Sequence, residues 1–279
     1  MISKYFYKGI RFLFRYTLFY TLAKPFITFA EKLKTQKEWA DRRPFDLFIK
    51  NTILKEPIVR NGFFKGMHYP DFLAAGSAIY PKFMGSYERE IYPIMEEILK
   101  QPYTLIIDVG CAEGYYAVGF AMLMPNAKVL AYDTDARARN LCKQIAQLNN
   151  VSERIKIGGT LTADELCTID FENNRTLIIS DCEGYEKELF TNNNLQHLKN
   201  CDILIETHDL FDMSITSYLT TLFKHTHKTP IIINSLDDIK KAQTYHYTET
   251  KDLDYTLKKL IFGESRKAIM EWMFFTPKN

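Results

Sequence analysis

Four acidic residues and a histidine stand at the ends of apolar runs, and in those places they could do chemistry. Asp108 ends the run LIID, Asp133 follows KVLAY, Asp181 follows LIIS, and Glu206 and His208 lie in DILIETHD. Apolar runs of this length read as buried strands, whose C-terminal ends gather at one edge of an α/β sheet. Asp133 comes twenty-five positions after Asp108, about one strand–helix–strand unit on. A carboxylate there can accept two hydrogen bonds from a ribose diol. Asp181 or His208 could serve as a general base, with Glu206 orienting it; imidazole is the better base near neutrality. A divalent ion held by Asp181, Glu206 and either Asp209 or His208 is the other arrangement, and oxygen-rich ligands favour magnesium or manganese.

Between the first two runs lies a glycine loop. Leu105–Gly119 reads LIIDVGCAEGYYAVG, with Gly110 and Gly114 bracketing a tight turn. Glycine lets the backbone turn sharply and approach a ligand without a Cβ in the way. Ala112 and Tyr115 occupy the places where a dinucleotide fingerprint needs its second and third glycines. The loop therefore predicts a crevice without a pyrophosphate in it.

DVGCAEG followed by AYDTD resembles the cofactor-binding motifs of class I S-adenosylmethionine-dependent methyltransferases. Within that class, SDCEGYE (residues 180–186) resembles the IDVEGxE segment of the FkbM-like branch, with Ser180 and Cys182 beside Asp181. GFFKGMHY, PKFMGSYEREI and MEWMFFTP extend the resemblance over roughly residues 60–279. It implies S-adenosyl-L-methionine as cofactor. Asp108 would receive the methionyl ammonium, directly or through water. The loop Gly110, Cys111, Ala112, Glu113 and Gly114 would contact the cofactor, Asp133 with Thr134 would hold the ribose, and Gly159 and Thr160 would lie near the adenine. Asp181 would border the cofactor as well as the reacting atoms. The implied acceptor is a hydroxyl of a sugar, glycan or related metabolite, and some sugar O-methyltransferases use a divalent metal.

Several residues carry competing roles. Glu113 could balance charge at the helix N-terminus that follows it, and Asp135 is better placed to cap the helix from Ala136. Tyr87 and Glu88 either begin a solvated helix or line a lid over the cofactor. Cys182 reads as a small core residue. His225 and His227 read as solvent-exposed at a helix end. Two other functions compete with methyl transfer: a nucleotide-dependent (NAD-type) oxidoreductase, which Ala112 and Tyr115 oppose, and a non-catalytic cofactor-binding partner protein, which Asp181 and His208 oppose.

These residues need a scaffold. From residue 103 the chain alternates strands (104–108, 128–132, 154–158, 176–181, 202–207) with helices (114–124, 136–149, 162–167, 185–190, 214–224). Late strands follow near 230–234 and 270–276. Alternation of this kind predicts a Rossmann-like, doubly wound, mostly parallel seven-stranded sheet, with the last aromatic strand antiparallel. Residues 101–279 would form the cofactor-binding domain and 41–100 a helical lid or leader whose best helix is Tyr87–Leu99. Residues 1–40 would form a basic, amphipathic, helical N-terminal extension. The polar, Lys-rich 236–266 stretch reads as a surface insertion.

With 279 residues, 46% of them hydrophobic, the chain can bury a substantial core. A net charge of +2 points to no nucleic-acid partner. Five scattered cysteines without a C-x-x-C pair read as reduced thiols of an intracellular, cytoplasmic protein. Charge is uneven: residues 1–34 hold seven Lys or Arg against Glu31 alone. That segment either packs its aromatic face on the body, or lies on an anionic membrane at its inner face with Phe12, Phe14, Phe19 and Phe26 inserted.

Overall fold

The computed structural model describes residues 17–266 and 268–278. Phe12 and Phe14 lie outside the described residues. The chain divides into two units, Met1–Ile53 and Leu54–Asn279. In the first, helix α1 (Thr17–Phe48) runs through Pro25 and Pro44; a π-helical turn, Ile49–Leu54, follows it and ends on the first residue of the second unit. Among the described residues no helix is long and apolar enough to cross a membrane.

The second unit is built on one seven-stranded sheet: β1 (Leu105–Val109), β2 (Lys128–Tyr132), β3 (Ile155–Gly158), β4 (Thr176–Ser180), β5 (Asp202–Thr207), β6 (Ile231–Asn234) and β7 (Glu271–Phe275). Their order is β3-β2-β1-β4-β5-β7-β6. The first five are parallel, while β7 runs antiparallel to both β5 and β6. β1, β4 and β5 are buried along their whole length, as central parallel strands covered on both faces must be. Alternate residues serve the two faces. Ile107, Ile178, Ile203, Ile205, Phe190 and Phe223 belong to one core cluster. Phe120 of helix α4 (Tyr115–Leu123) packs edge-on against Phe64, away from that cluster.

Register fixes what stands at the sheet edge. Val109 pairs with Tyr132 and Ser180, Tyr132 with Gly158, and Ser180 with Ile205. One residue further on, the five strands therefore present Gly110, Asp133, Gly159, Asp181 and Glu206 in one row.

Two predicted features differ. Tyr87–Leu99 is not one helix: α2 (Ile79–Met84) ends at Gly85, Glu88 takes φ +48°, and a 3-10 turn spans Arg89–Ile91. Helix α3 (Tyr92–Leu99) begins only there. Pro93 explains the restart, because a proline fits the first turn of a helix and no later one. Nor is the 236–266 stretch a surface insertion. It folds into two helices, Asp238–Thr244 and Tyr255–Phe262, which pack on each other, and the second touches α2. Ile261 and Phe262 are buried. His227 is likewise buried, its Nε2 3.0 Å from the Cys201 carbonyl oxygen, and burial pulls its pKa down.

Candidate active site

A cavity of about 770 Å³ opens over the row of strand ends, a size typical of small-molecule sites. Gly110, Cys111, Ala112, Asp133, Thr134, Gly159, Thr160, Asp181, Glu206 and His208 all line it. Asp108, Glu113 and Gly114 do not; they sit behind its wall.

The glycine loop keeps its shape for reasons the sequence did not disclose. Gly110 has φ +81° and Gly114 +91°. A Cβ at Gly110 would collide with the Asp181 carbonyl oxygen, and one at Gly114 with Cys142 Sγ. Both glycines make room for protein neighbours, and Gly110 also lines the cavity. Ala112 adopts φ +48° and donates its N–H to Asp133 Oδ2 at 2.8 Å. Asp133 Oδ1 accepts from the Asp135 N–H at 2.7 Å, and Asp135 caps the helix Ala136–Leu148 as expected. The Gly110→Ala variant should lose about 1–3 kcal/mol or more of stability from the strained φ and the collision. Its urea-denaturation midpoint reads this.

Glu113 has a structural partner. It is fully buried, forms an ion pair with Lys82 and accepts the Ala75 N–H at 2.9 Å. Lys82 lies 4.7 Å from the Tyr87 ring centroid and 5.3 Å from that of Tyr115. This fastens the 75–87 segment over the loop, and Glu113 does not line the cavity. Asp108 is buried beneath the loop, and one carboxylate oxygen, Oδ2, has no hydrogen-bond partner. Burial pushes its pKa up to about 8.

On the other side of the cavity His208 is held between carboxylates. Its Nδ1 lies 2.5 Å from Glu186 Oε1, and Glu186 is fully buried. Its Nε2 faces Asp181 Oδ1 at 3.4 Å, Glu183 Oε2 at 3.7 Å and Glu206 Oε2 at 3.9 Å. Burial acts to lower the imidazole pKa, but the Glu186 hydrogen bond and the charges of Asp181, Glu186 and Glu183 outweigh it and raise the pKa above 6.5. With Nδ1 turned to Glu186, Nε2 is the ring nitrogen left on the cavity side.

Glu206 does not orient His208; it pairs with Arg266. The same guanidinium reaches Glu88 at 2.5 Å and Glu264 at 2.8 Å. Lys241 adds a second cation to Glu264 at 2.5 Å. Burial raises the Glu88 pKa to about 7 and that of Glu206 well above the carboxylate range. Asp209 is diverted altogether, accepting the Thr216 N–H at 3.0 Å beside helix Ile215–Phe223. Tyr87 lines the cavity and Glu88 belongs to the Arg266 cluster, so neither begins a solvated helix.

Sequence reasoning missed Lys82, Glu186 and Arg266. Glu186 had a signal, since it is the last residue of the EGYE segment. Arg266 had none: it ends a polar tract and finds Glu88, 178 positions away, only in the folded chain.

Ligand atoms of Asp181, Glu206 and His208 lie within 4.8 Å of one another, close enough to share a cation. Arg266 already supplies a positive charge to Glu206, and His208 is drawn to Glu186. The donor set therefore fits a metal ion poorly. It fits a sulfonium nucleoside better. Among the described residues lining the cavity, Asp133, Asp135, Asp181, Glu183, Glu206 and Glu264 stand against Lys82, Arg266 and the imidazole of His208, and each of these three is engaged by a carboxylate. Such a lining attracts a cation and repels a pyrophosphate.

The mostly parallel seven-stranded sheet with its one reversed strand is a Rossmann-like methyltransferase fold. Residues 93–181 match the family model of ribosomal protein L11 methyltransferase (PrmA). The chain is 26% identical to a release factor glutamine methyltransferase of Flavobacterium psychrophilum, over 58% of this chain and 56% of that protein. It is 46% identical to a ribosomal protein L11 methyltransferase of Acinetobacter baylyi, over 19% of this chain and 18% of that protein. The chain thus spans about half the length, or less, of these curated relatives. Among solved structures, an O-methyltransferase from Bacillus cereus in complex with SAH is 11% identical, with a TM-score of 0.44, covering 68% of this chain and 81% of that one.

Proposed function

We propose that the chain is a methyltransferase that uses S-adenosyl-L-methionine to methylate a hydroxyl of a small-molecule or glycan acceptor. The observation that carries this reading is the cavity's asymmetry. One wall is a glycine loop with a ribose-type acid, Asp133, and the opposite wall is a histidine clamped by a buried glutamate. The matched family segment ends at Asp181, so it spans the cofactor wall and stops before Glu183, Glu186 and His208. The acceptor side rests on the FkbM-like character of SDCEGYE, read from its residues.

When bound, S-adenosyl-L-methionine supplies a methyl group already activated on a sulfonium. The protein's residues do the rest. Asp133 accepts hydrogen bonds from the ribose hydroxyls, and Gly159 and Thr160 border the adenine. Asp181, at the cavity wall, favours the cationic parts of the ligand. A hydroxyl must lose its proton as its oxygen attacks, and His208 Nε2 receives that proton. Glu186 keeps the ring oriented and stabilises the imidazolium that results.

The Asp133→Ala variant should bind S-adenosylhomocysteine about 1.5–3 kcal/mol more weakly, the range for hydrogen bonds to a charged group. Unchanged affinity in a calorimetric titration would remove Asp133 from the ribose role. Because Arg266 serves Glu206, EDTA should leave turnover unaltered; activity lost to EDTA and restored by magnesium would show that an ion works there. The direct test of function is transfer of a labelled methyl group to a panel of hydroxyl-bearing sugars and metabolites. Label appearing only on amines or amides would replace the hydroxyl acceptor. Binding of NADH in preference to S-adenosylhomocysteine would replace the whole reading by the oxidoreductase one, and cofactor binding without turnover would favour the partner-protein one.

A further inference from the structure

We infer that α1 is a docking element for an anionic lipid bilayer, lying flat in the headgroup region rather than spanning the membrane. Phe19, Leu22, Phe26, Phe29 and Leu33 follow one another at spacings of three, four, three and four. At 3.6 residues per turn they share about 80° of the helix circumference. All five are exposed, with Phe26 at 76% and Leu22 at 64%. A stripe of that kind is out of place facing water.

Charge decides what covers it. Residues 1–34 contain seven Lys or Arg and one Glu, while the remaining residues carry a net −4. A second copy of the helix would need acids beside the stripe to answer its lysines, as interhelical pairs in coiled coils do. The flanking positions are instead Ala23, Pro25, Ala30 and Lys32. They offer no acid to a second helix. An anionic headgroup layer matches the net positive charge of residues 1–34, and its acyl boundary accepts the three phenylalanines and two leucines. The helix meets the other requirement of an interfacial element, because it has no span apolar enough to insert across the bilayer.

The test uses the full-length protein and extruded vesicles of phosphatidylcholine, with or without phosphatidylglycerol. The protein should sediment with the phosphatidylglycerol vesicles and be released as salt is raised. The Phe26→Glu/Phe29→Glu double variant should lose binding by about tenfold or more, while keeping the parent's affinity for S-adenosylhomocysteine as a check on its fold. The Lys24→Gln/Lys32→Gln variant should bind more weakly and with less salt dependence. Failure of the parent to sediment with anionic vesicles would overturn the inference, as would unchanged binding of the double variant. A concentration-dependent dimer in light scattering, abolished by the double variant and unaccompanied by vesicle binding, would assign the stripe to a second copy instead.

Discussion

Turnover by the His208→Gln variant should fall by about 10²–10⁴-fold, while its affinity for S-adenosylhomocysteine stays at the parent's value. Glutamine is the informative replacement. Its amide can still donate to the buried Glu186, so the carboxylate is not stranded, but it cannot take up a proton at the cavity. The second half of this prediction lies in pH. A base works only when unprotonated, and His208 is held above pH 6.5. Activity should therefore rise with pH through an inflection above 6.5. In Glu186→Gln the hydrogen bond and charge that raise the imidazole pKa are weakened, while burial still lowers it. The inflection should move to lower pH, and turnover should drop with little change in cofactor affinity. Glu186 is a positioning residue, and a purely structural role would not move the inflection. Normal turnover in His208→Gln would exclude the base role.

Arg266→Met should cost about 3–5 kcal/mol of stability, because it leaves buried carboxylates without their cation. Glu88, Glu206 and Glu264 all converge on that guanidinium, and Lys241 would remain only for Glu264. The sign of the pH dependence follows from Glu88, whose folded pKa of about 7 already exceeds the ordinary glutamate value. Losing Arg266 raises it further. Between the unfolded and folded values the native state binds more protons, so stability falls as pH rises. The variant should be destabilised more at pH 8 than at pH 5.5 in urea denaturation. An unfolding midpoint equal to the parent's at both pH values would mean that the cluster contributes nothing to the fold.

The sheet and its edge were legible because they depend on local pattern. Short apolar runs such as LIIDV and TLIIS, alternating with helical segments and bounded by turn residues, read as central strands, and polar residues immediately after them have one edge to occupy. Asp133, Asp181, Glu206 and His208 followed from that alone, and Asp135 from its position before a helix. What stayed hidden depends on contacts between distant segments. Nothing beside Glu113 announces Lys82, 31 positions earlier, and a buried ion pair takes it out of the cavity. Gly110 and Gly114 were marked as turns, which their positive φ values bear out, but the packing of Asp181 and Cys142 into the space they leave was not foreseen. The 236–266 stretch looked solvated because its charges, Lys241, Glu264 and Arg266, are the kind usually found outside. Here they neutralise one another in the interior. Asp209 looked equivalent to His208 by sequence, yet a neighbouring helix start claimed it.

The most direct test of the account is isothermal titration of the purified protein with S-adenosylhomocysteine and, separately, with NADH. The account predicts saturable, one-to-one binding of S-adenosylhomocysteine, weakened in Asp133→Ala, and no binding of NADH. A protein that ignores the nucleoside thioether, or prefers the dinucleotide, would contradict the central claim that these acidic strand tips and their glycine bend form a pocket for a sulfonium cofactor.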